Sequence, residues 1–243
     1  MKQLTSLALL LITCVSYGQI KTNQEKFRQL EPTITLGIWD KENSTPNIQI
    51  NVLSYDDIPK SLDFRGTVVE ALTWVDAAGR NILIQTVTGH FNWKGYDDNL
   101  MEYTLQDKSE LYAYLFQKKD LNSDYQKVWR IYDYTECNGL DWFTGFSPKA
   151  TTITDLNKNG IAEVSIPYVS ICRGGMDPGI QKIIFYEGHT KYALRGETML
   201  MCDTEDAYGG TFIASDNLNE KKEFMAFLTK QWNATKCEND KYW

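Results

Sequence analysis
The tightest constraint on this chain is a polar loop set between two β-branched runs. Thr151 to Thr154 precede it, and Val164, Ile166, Tyr168, Val169 and Ile171 follow it. Such residues favour strands, so the segment predicts a hairpin and a β-rich body around it. The loop itself runs from Asp155 to Glu163. Asp155, Asn157 and Asn159 put side-chain oxygens at loop positions 1, 3 and 5, Gly160 stands at position 6, the Ile161 carbonyl at 7 and Glu163 at 9. Ca²⁺ takes six to eight oxygen ligands, and a glycine at the sixth position permits the sharp turn. An EF-hand needs a bidentate glutamate at position 12, where this chain has Ile166, so the loop is not an EF-hand. Two readings follow: a weak structural calcium loop, or a metal-free polar turn, for which Asn-Gly is also a strong signal. The calcium reading is the expectation here, with an affinity of roughly 10⁻⁴–10⁻³ M because only two side-chain donors are carboxylates.

The first residues bear on the compartment. Met1-Lys2, an apolar run from Leu4 to Val15 and small residues at Ser16 and Gly18 read as a secretory signal over residues 1–18. That run is too short to span a bilayer. Cleavage after Gly18 leaves about 225 residues, enough for a real core. Residues 19–31 read as a polar lead-in, and residues 32–243 as one β-rich domain. The formal charge of −7 argues against nucleic acid or an anionic membrane as a partner. Cys137, Cys172, Cys202 and Cys237 remain after cleavage; they lack zinc-type spacing, and an exported chain oxidises them. Of three possible pairings, Cys137–Cys172 and Cys202–Cys237 are expected, each closing a loop of about 35 residues.

Alternating apolar and polar residues predict further strands at Thr33–Trp39, Ile48–Leu53, Thr67–Asp76, Asn81–Thr88, Leu111–Gln117, Lys127–Tyr134, Ile180–Tyr186 and Lys191–Gly196. Residues 89–108 read as irregular. Leu111, Ala113 and Leu115 alternate with Tyr112, Tyr114 and Phe116, so both faces of that strand are apolar and both need cover. A helix is expected at about 217–234, opened by Asn217 and Glu220 as a capping box and burying Leu218, Met225, Leu228 and Trp232. Trp74–Gly79 looks like a shortened copy of the Ile153–Gly160 unit. The fold class is therefore mainly β: antiparallel sheets, as a sandwich or a degenerate propeller-like duplication, with a C-terminal helix.

Several stretches together resemble an exported bacterial family labelled surface polysaccharide biosynthesis protein. They are Gly66–Trp74, Trp129–Tyr134 with Cys137, Thr154–Glu163, Cys172, Lys182–Gly188 and Lys191–Gly196. The 155–163 loop is also similar to calcium loops of integrin-like propeller repeats. The family resemblance implies a link to envelope glycan assembly and implies no catalytic residues.

No nucleophile elbow, zinc-binding HExxH or phosphate loop is present. His90 and His189 read as solvated loop residues. Asp97, Asp98, Asp133, Glu136 and Asp141 are candidates for the carboxylate pair of a glycan-cleaving hydrolase. Trp93 and Trp142 are candidate glycan contacts on loops, whereas Trp74 and Trp129 are expected in the core. The leading expectation is an exported, non-enzymatic binding or accessory protein, periplasmic or at the cell surface. Its expected partners are surface polysaccharide or envelope assembly components. The alternative is a secreted glycan hydrolase.

Overall fold
The computed structural model describes residues 37–44, 47–97, 100–137 and 141–238. The expected signal segment, the expected lead-in and most of the strand expected at Thr33–Trp39 lie outside the described residues. Thirteen strands occur among those described. They are β1 (Asn51–Val52), β2 (Thr67–Asp76), β3 (Gly79–Asp97), β4 (Glu102–Lys118), β5 (Gln126–Glu136), β6 (Asp141–Phe146), β7 (Thr152–Thr154), β8 (Glu163–Arg173), β9 (Ile180–Glu187), β10 (Thr190–Glu197), β11 (Met199–Leu200), β12 (Tyr208–Gly209) and β13 (Phe212–Ala214). One antiparallel sheet has the order β1-β2-β3-β4-β5 and a second the order β13-β10-β9-β8-β6, with β7 paired to β8. Strands β1 to β5 and β8 to β10 pair in chain order, whereas β6 pairs with β8 and β10 with β13 across intervening segments. The turn between β2 and β3 requires Gly79. Its φ is +129°, and a Cβ there would fall 2.3 Å from the Lys118 carbonyl oxygen.

The two sheets stack face to face, as a sandwich. Period-two alternation sends Leu72, Trp74, Leu83, Leu111, Ala113, Leu115, Trp129 and Ile131 inward from the first sheet. They meet Ile153, Val164, Ile166, Tyr168, Ile184 and Tyr186 from the second. Trp129 and Tyr186 stack across this interface at 4.4 Å. The expected core tryptophans, Trp74 and Trp129, are both buried.

Each sheet also has its outer face covered in part. Ile58, Leu62 and Phe64 lie over Ala71, Ile82, Ile84, Tyr112, Tyr114 and Phe116. That is the cover the two-faced pattern of β4 demands. On the other side the helix Lys222–Thr235 sets Phe224, Leu228 and Trp232 against Ile183, Phe185, Tyr192 and Leu194.

The helix starts later than its sequence suggests. Asp216–Asn219 forms a separate short turn, and the capping box is not made: Asn217 donates its amide to the Lys191 carbonyl at 2.9 Å instead. Leu218 is buried all the same, so the apolar face was read correctly while the cap was not. Of the strand expected at Ile48–Leu53, only Asn51–Val52 is formed.

The segment at 89–108 is not irregular. β3 and β4 continue as one long hairpin through it, with a register shift between Val87 and His90. Alternation is weak there because the hairpin outruns the sandwich: Tyr96, Tyr103 and Leu105 are exposed.

Both expected disulfides are formed. Cys137–Cys172 joins the end of β5 to β8 and so ties the two sheets; Cys202–Cys237 ties the chain after the helix to the loop after β11. No helix among the described residues is long and apolar enough to cross a membrane.

Candidate functional site
Two places on the sandwich carry more polar and aromatic chemistry than the fold requires. The first is the outer face of β3, β4 and β5, beside the covered patch. Register places Tyr112 opposite Tyr132, Glu110 opposite Tyr134 and Lys108 opposite both Phe91 and Glu136. Because successive residues on a strand face opposite ways, these side chains share one surface. The Tyr112 and Tyr132 rings are 5.0 Å apart, and Tyr134 follows 5.7 Å from Tyr132. Tyr132 is 40% exposed and Tyr134 44%.

Beneath this ladder lies a buried carboxylate. Glu110 accepts hydrogen bonds from the hydroxyls of Tyr112 at 2.6 Å and Tyr132 at 3.2 Å. It also pairs with Arg65 at 3.1 Å and Lys108 at 3.5 Å. Lys108 reaches Glu136 at 3.1 Å, and its ammonium lies 4.2 Å from the Tyr134 ring centre and 4.6 Å from that of Trp93. Burial works to lower the Lys108 pKa, but its hydrogen bond to Glu136 and the surrounding negative charges outweigh it and hold the ammonium protonated. Tyr112 is driven to higher pKa by burial, then by its bond to Glu110, so its hydroxyl stays a donor. The result is a row of stacked rings, exposed at Tyr132 and Tyr134, with its polar groups already oriented.

Trp93 and Trp142 sit on strands rather than loops. Trp93 belongs to this face through Lys108. Trp142, on β6, stacks 3.8 Å from His90, which is one residue away from Phe91 in β3 and therefore faces the other side of the hairpin. The two tryptophans are not brought together. The tryptophans do not point to the tyrosine ladder; its sequence signal is Tyr-x-Tyr at 112–114 and again at 132–134, on strands that pair.

The hydrolase candidates are scattered. Asp133 points into the sandwich side, accepting from the Tyr168 hydroxyl at 2.9 Å and pairing with Lys182 at 2.5 Å. Glu136, three residues on, faces outward to Lys108. Asp141 is exposed on β6. Asp98 and the side chain of Asp97 lie outside the described residues. His90 is held against Trp142, and His189 is exposed at the tip between β9 and β10.

The second place is the connection from β7 to β8, at one end of the sandwich. The fully buried Glu163 turns its carboxylate back into this loop: Oε2 accepts from the Thr154 hydroxyl at 2.9 Å and the Leu156 amide at 2.8 Å. Asp155 accepts from the Gly160 amide at 3.2 Å, Asn157 from the Asn159 amide at 3.1 Å and Asn159 from the Ile161 amide at 2.8 Å. Gly160 adopts φ +82°, with its Cβ position 3.4 Å from the Ala77 methyl, so the residue suits both the turn and the close approach. Burial raises the Glu163 pKa, the nearby Asp155 charge adds to that, and the loop hydrogen bonds oppose it. Among the described residues no three His, Cys, Asp or Glu side chains gather in a group able to hold a metal. Any cation here would depend on amide and backbone oxygens beside the two carboxylates.

The fold and these residues define a disulfide-linked antiparallel β-sandwich with a tyrosine ladder on one sheet, exposed at Tyr132 and Tyr134. No protein-family model, curated protein or solved structure matches the chain.

Proposed function
We propose that this protein is an exported, non-enzymatic carbohydrate-binding or accessory protein, connected to surface polysaccharide and acting in the periplasm or at the cell surface. The tyrosine ladder of β4 and β5 carries this reading. A stacked row of tyrosines, two of them partly exposed and backed by polar groups that are already positioned, suits a ligand with alternating apolar patches and hydroxyls. A sugar chain is such a ligand: its C–H patches lie on Tyr132 and Tyr134, while its hydroxyls reach Glu136 and the exposed Arg130, whose guanidinium lies 5.9 Å from the Tyr132 ring centre. Little side-chain entropy is lost on binding, because rings stacked on one another and tied to Glu110 are ordered beforehand. Two disulfides accord with an oxidising compartment, and the sequence resemblance points to the same envelope setting.

The test is a glycan array with the mature chain, followed by titration of any hit with wild type and with Tyr132→Ala/Tyr134→Ala. The pair of substitutions removes exposed rings and leaves Glu110 bonded to Tyr112. A loss of affinity of roughly tenfold or more, with a cooperative melting transition retained, is expected. Absence of any glycan hit for the wild type, or a hit indifferent to both substitutions, overturns the proposal.

A further inference from the structure
We infer that the 155–163 loop is a Ca²⁺ site that clasps the two sheets together at one end of the sandwich. The inference stands apart from the glycan reading and needs none of its residues. Its central observation is Glu163. This side chain is 0% exposed, and its Oε1 has no hydrogen-bond partner, although Oε2 has two. A buried carboxylate oxygen left without a donor is costly, and a cation is the natural complement. The surrounding loop supplies oxygens to hold one. The amide oxygens of Asn157 and Asn159 are fixed on the loop by accepting from the Asn159 and Ile161 backbone amides. Their nitrogens are turned away, both donating to Glu187. Each amide oxygen keeps a second lone pair. With Asp155, Glu163 and the Ile161 carbonyl, the donor set is all oxygen and carries two negative charges. Oxygen donors without nitrogen or sulfur select a hard cation, and a flexible loop of mixed carboxylate, amide and carbonyl donors fits Ca²⁺ better than the strictly octahedral Mg²⁺.

The loop is bonded to the other sheet, which makes it a clasp rather than an isolated turn. The Ala77 amide donates to the Gly160 carbonyl at 2.8 Å, and the Ala162 amide donates to Asp76 at 3.1 Å. Asp76 also accepts from the Trp74 indole at 3.0 Å. Order imposed on the 155–163 loop is thus passed to the β2–β3 turn and to a core tryptophan.

The experiment is thermal melting of the mature wild-type chain and of Glu163→Gln, in chelator, in about 5 mM CaCl₂ and in the same concentration of MgCl₂. Calcium is expected to raise the wild-type melting temperature by about 2–9 °C, from mass action at a Kd of roughly 10⁻⁴–10⁻³ M. Glu163→Gln is expected to melt in chelator at or above the wild type, since a buried charge is gone, and to lose the calcium response. Should that variant fail to fold, calorimetric titration of the wild type with CaCl₂ decides alone: saturable binding at one site supports the inference, and its absence overturns it. Equal wild-type melting in calcium and chelator, an equal shift with magnesium, or a full calcium response in Glu163→Gln each overturn it too.

Discussion

Removing the Cys137–Cys172 bridge tests how the sandwich is held together. The loop it closes spans a sequence separation of 35 residues. In the chain-entropy model, opening such a loop in the unfolded state costs about 3.8 kcal/mol of native stability at 25 °C. For a domain of this size each kcal/mol moves the melting temperature by roughly 2–4 °C, so a fall of about 8–15 °C is expected. Cys202–Cys237 has the same separation of 35 and closes a loop that does not overlap the first. Loop entropy alone therefore predicts the same loss for either bridge. The structure separates them. Cys137–Cys172 links strands of opposite sheets, so its loss loosens the whole sandwich. Cys202–Cys237 fastens the segment that follows the helix. Calorimetry of Cys137→Ala/Cys172→Ala and of Cys202→Ala/Cys237→Ala measures both. The first pair is expected to shift one cooperative transition downward. The second is expected to let the helix and its β9–β10 cover melt ahead of the first sheet, broadening the transition. Reduced wild type should match the sum. A Cys137→Ala/Cys172→Ala protein melting within about 2 °C of the wild type would refute the reasoning, because the entropic contribution cannot vanish unless the unfolded chain is already constrained there.

Trp232→Ala is expected to cost about 3–5 kcal/mol by chemical denaturation. The side chain is fully buried under the second sheet, packs 5.2 Å from Phe212 and donates to the Gly210 carbonyl at 2.9 Å. A loss below about 1 kcal/mol would mean that the helix is not part of the cooperative fold. A second expectation concerns pH in chelator. Burial, then the Asp155 charge, raises the Glu163 pKa above 4.5, so the native state holds the proton to higher pH than the unfolded chain does. The stabilisation from this group is present below pH 4.5 and is lost as pH rises through the raised folded value. The melting temperature of wild type relative to Glu163→Gln should therefore fall as pH rises across that window, and a difference independent of pH would contradict it.

Much of the architecture was legible because period-two alternation reports burial directly. β2, β8, β9 and β10 lie where their β-branched and aromatic runs place them, and the double-faced pattern of β4 announced a covered outer face. The reading failed where burial is absent. Beyond His90 the β3–β4 hairpin is held by backbone pairing; Phe91 and Trp93 alternate with the exposed Asn92 and Lys94, but the pattern is short and the exposed Tyr96, Tyr103 and Leu105 do not extend it. The capping box failed for a different reason: Asn217 found a better acceptor in Lys191 of β10, a residue that no local pattern connects to it. Where the two tryptophans lie was not legible either. Trp93 lies on the tyrosine-bearing face and Trp142 does not, since a strand's two faces are assigned by register, and the shift between Val87 and His90 resets it.

The order of residues by itself determined the β-rich class, the four cysteines available for bridging, the apolar face of the helix and the oxygen-bearing spacing of the 155–163 loop. Each is a local property of composition and period. Only the tertiary structure decided that Tyr112, Tyr132 and Tyr134 form one ladder over Glu110, and that the Asp76 turn bonds to the Gly160 loop across two sheets. Those neighbours are distant along the chain. Pairing register and sheet stacking bring them together, and both are set by the burial of the whole core rather than by any one segment.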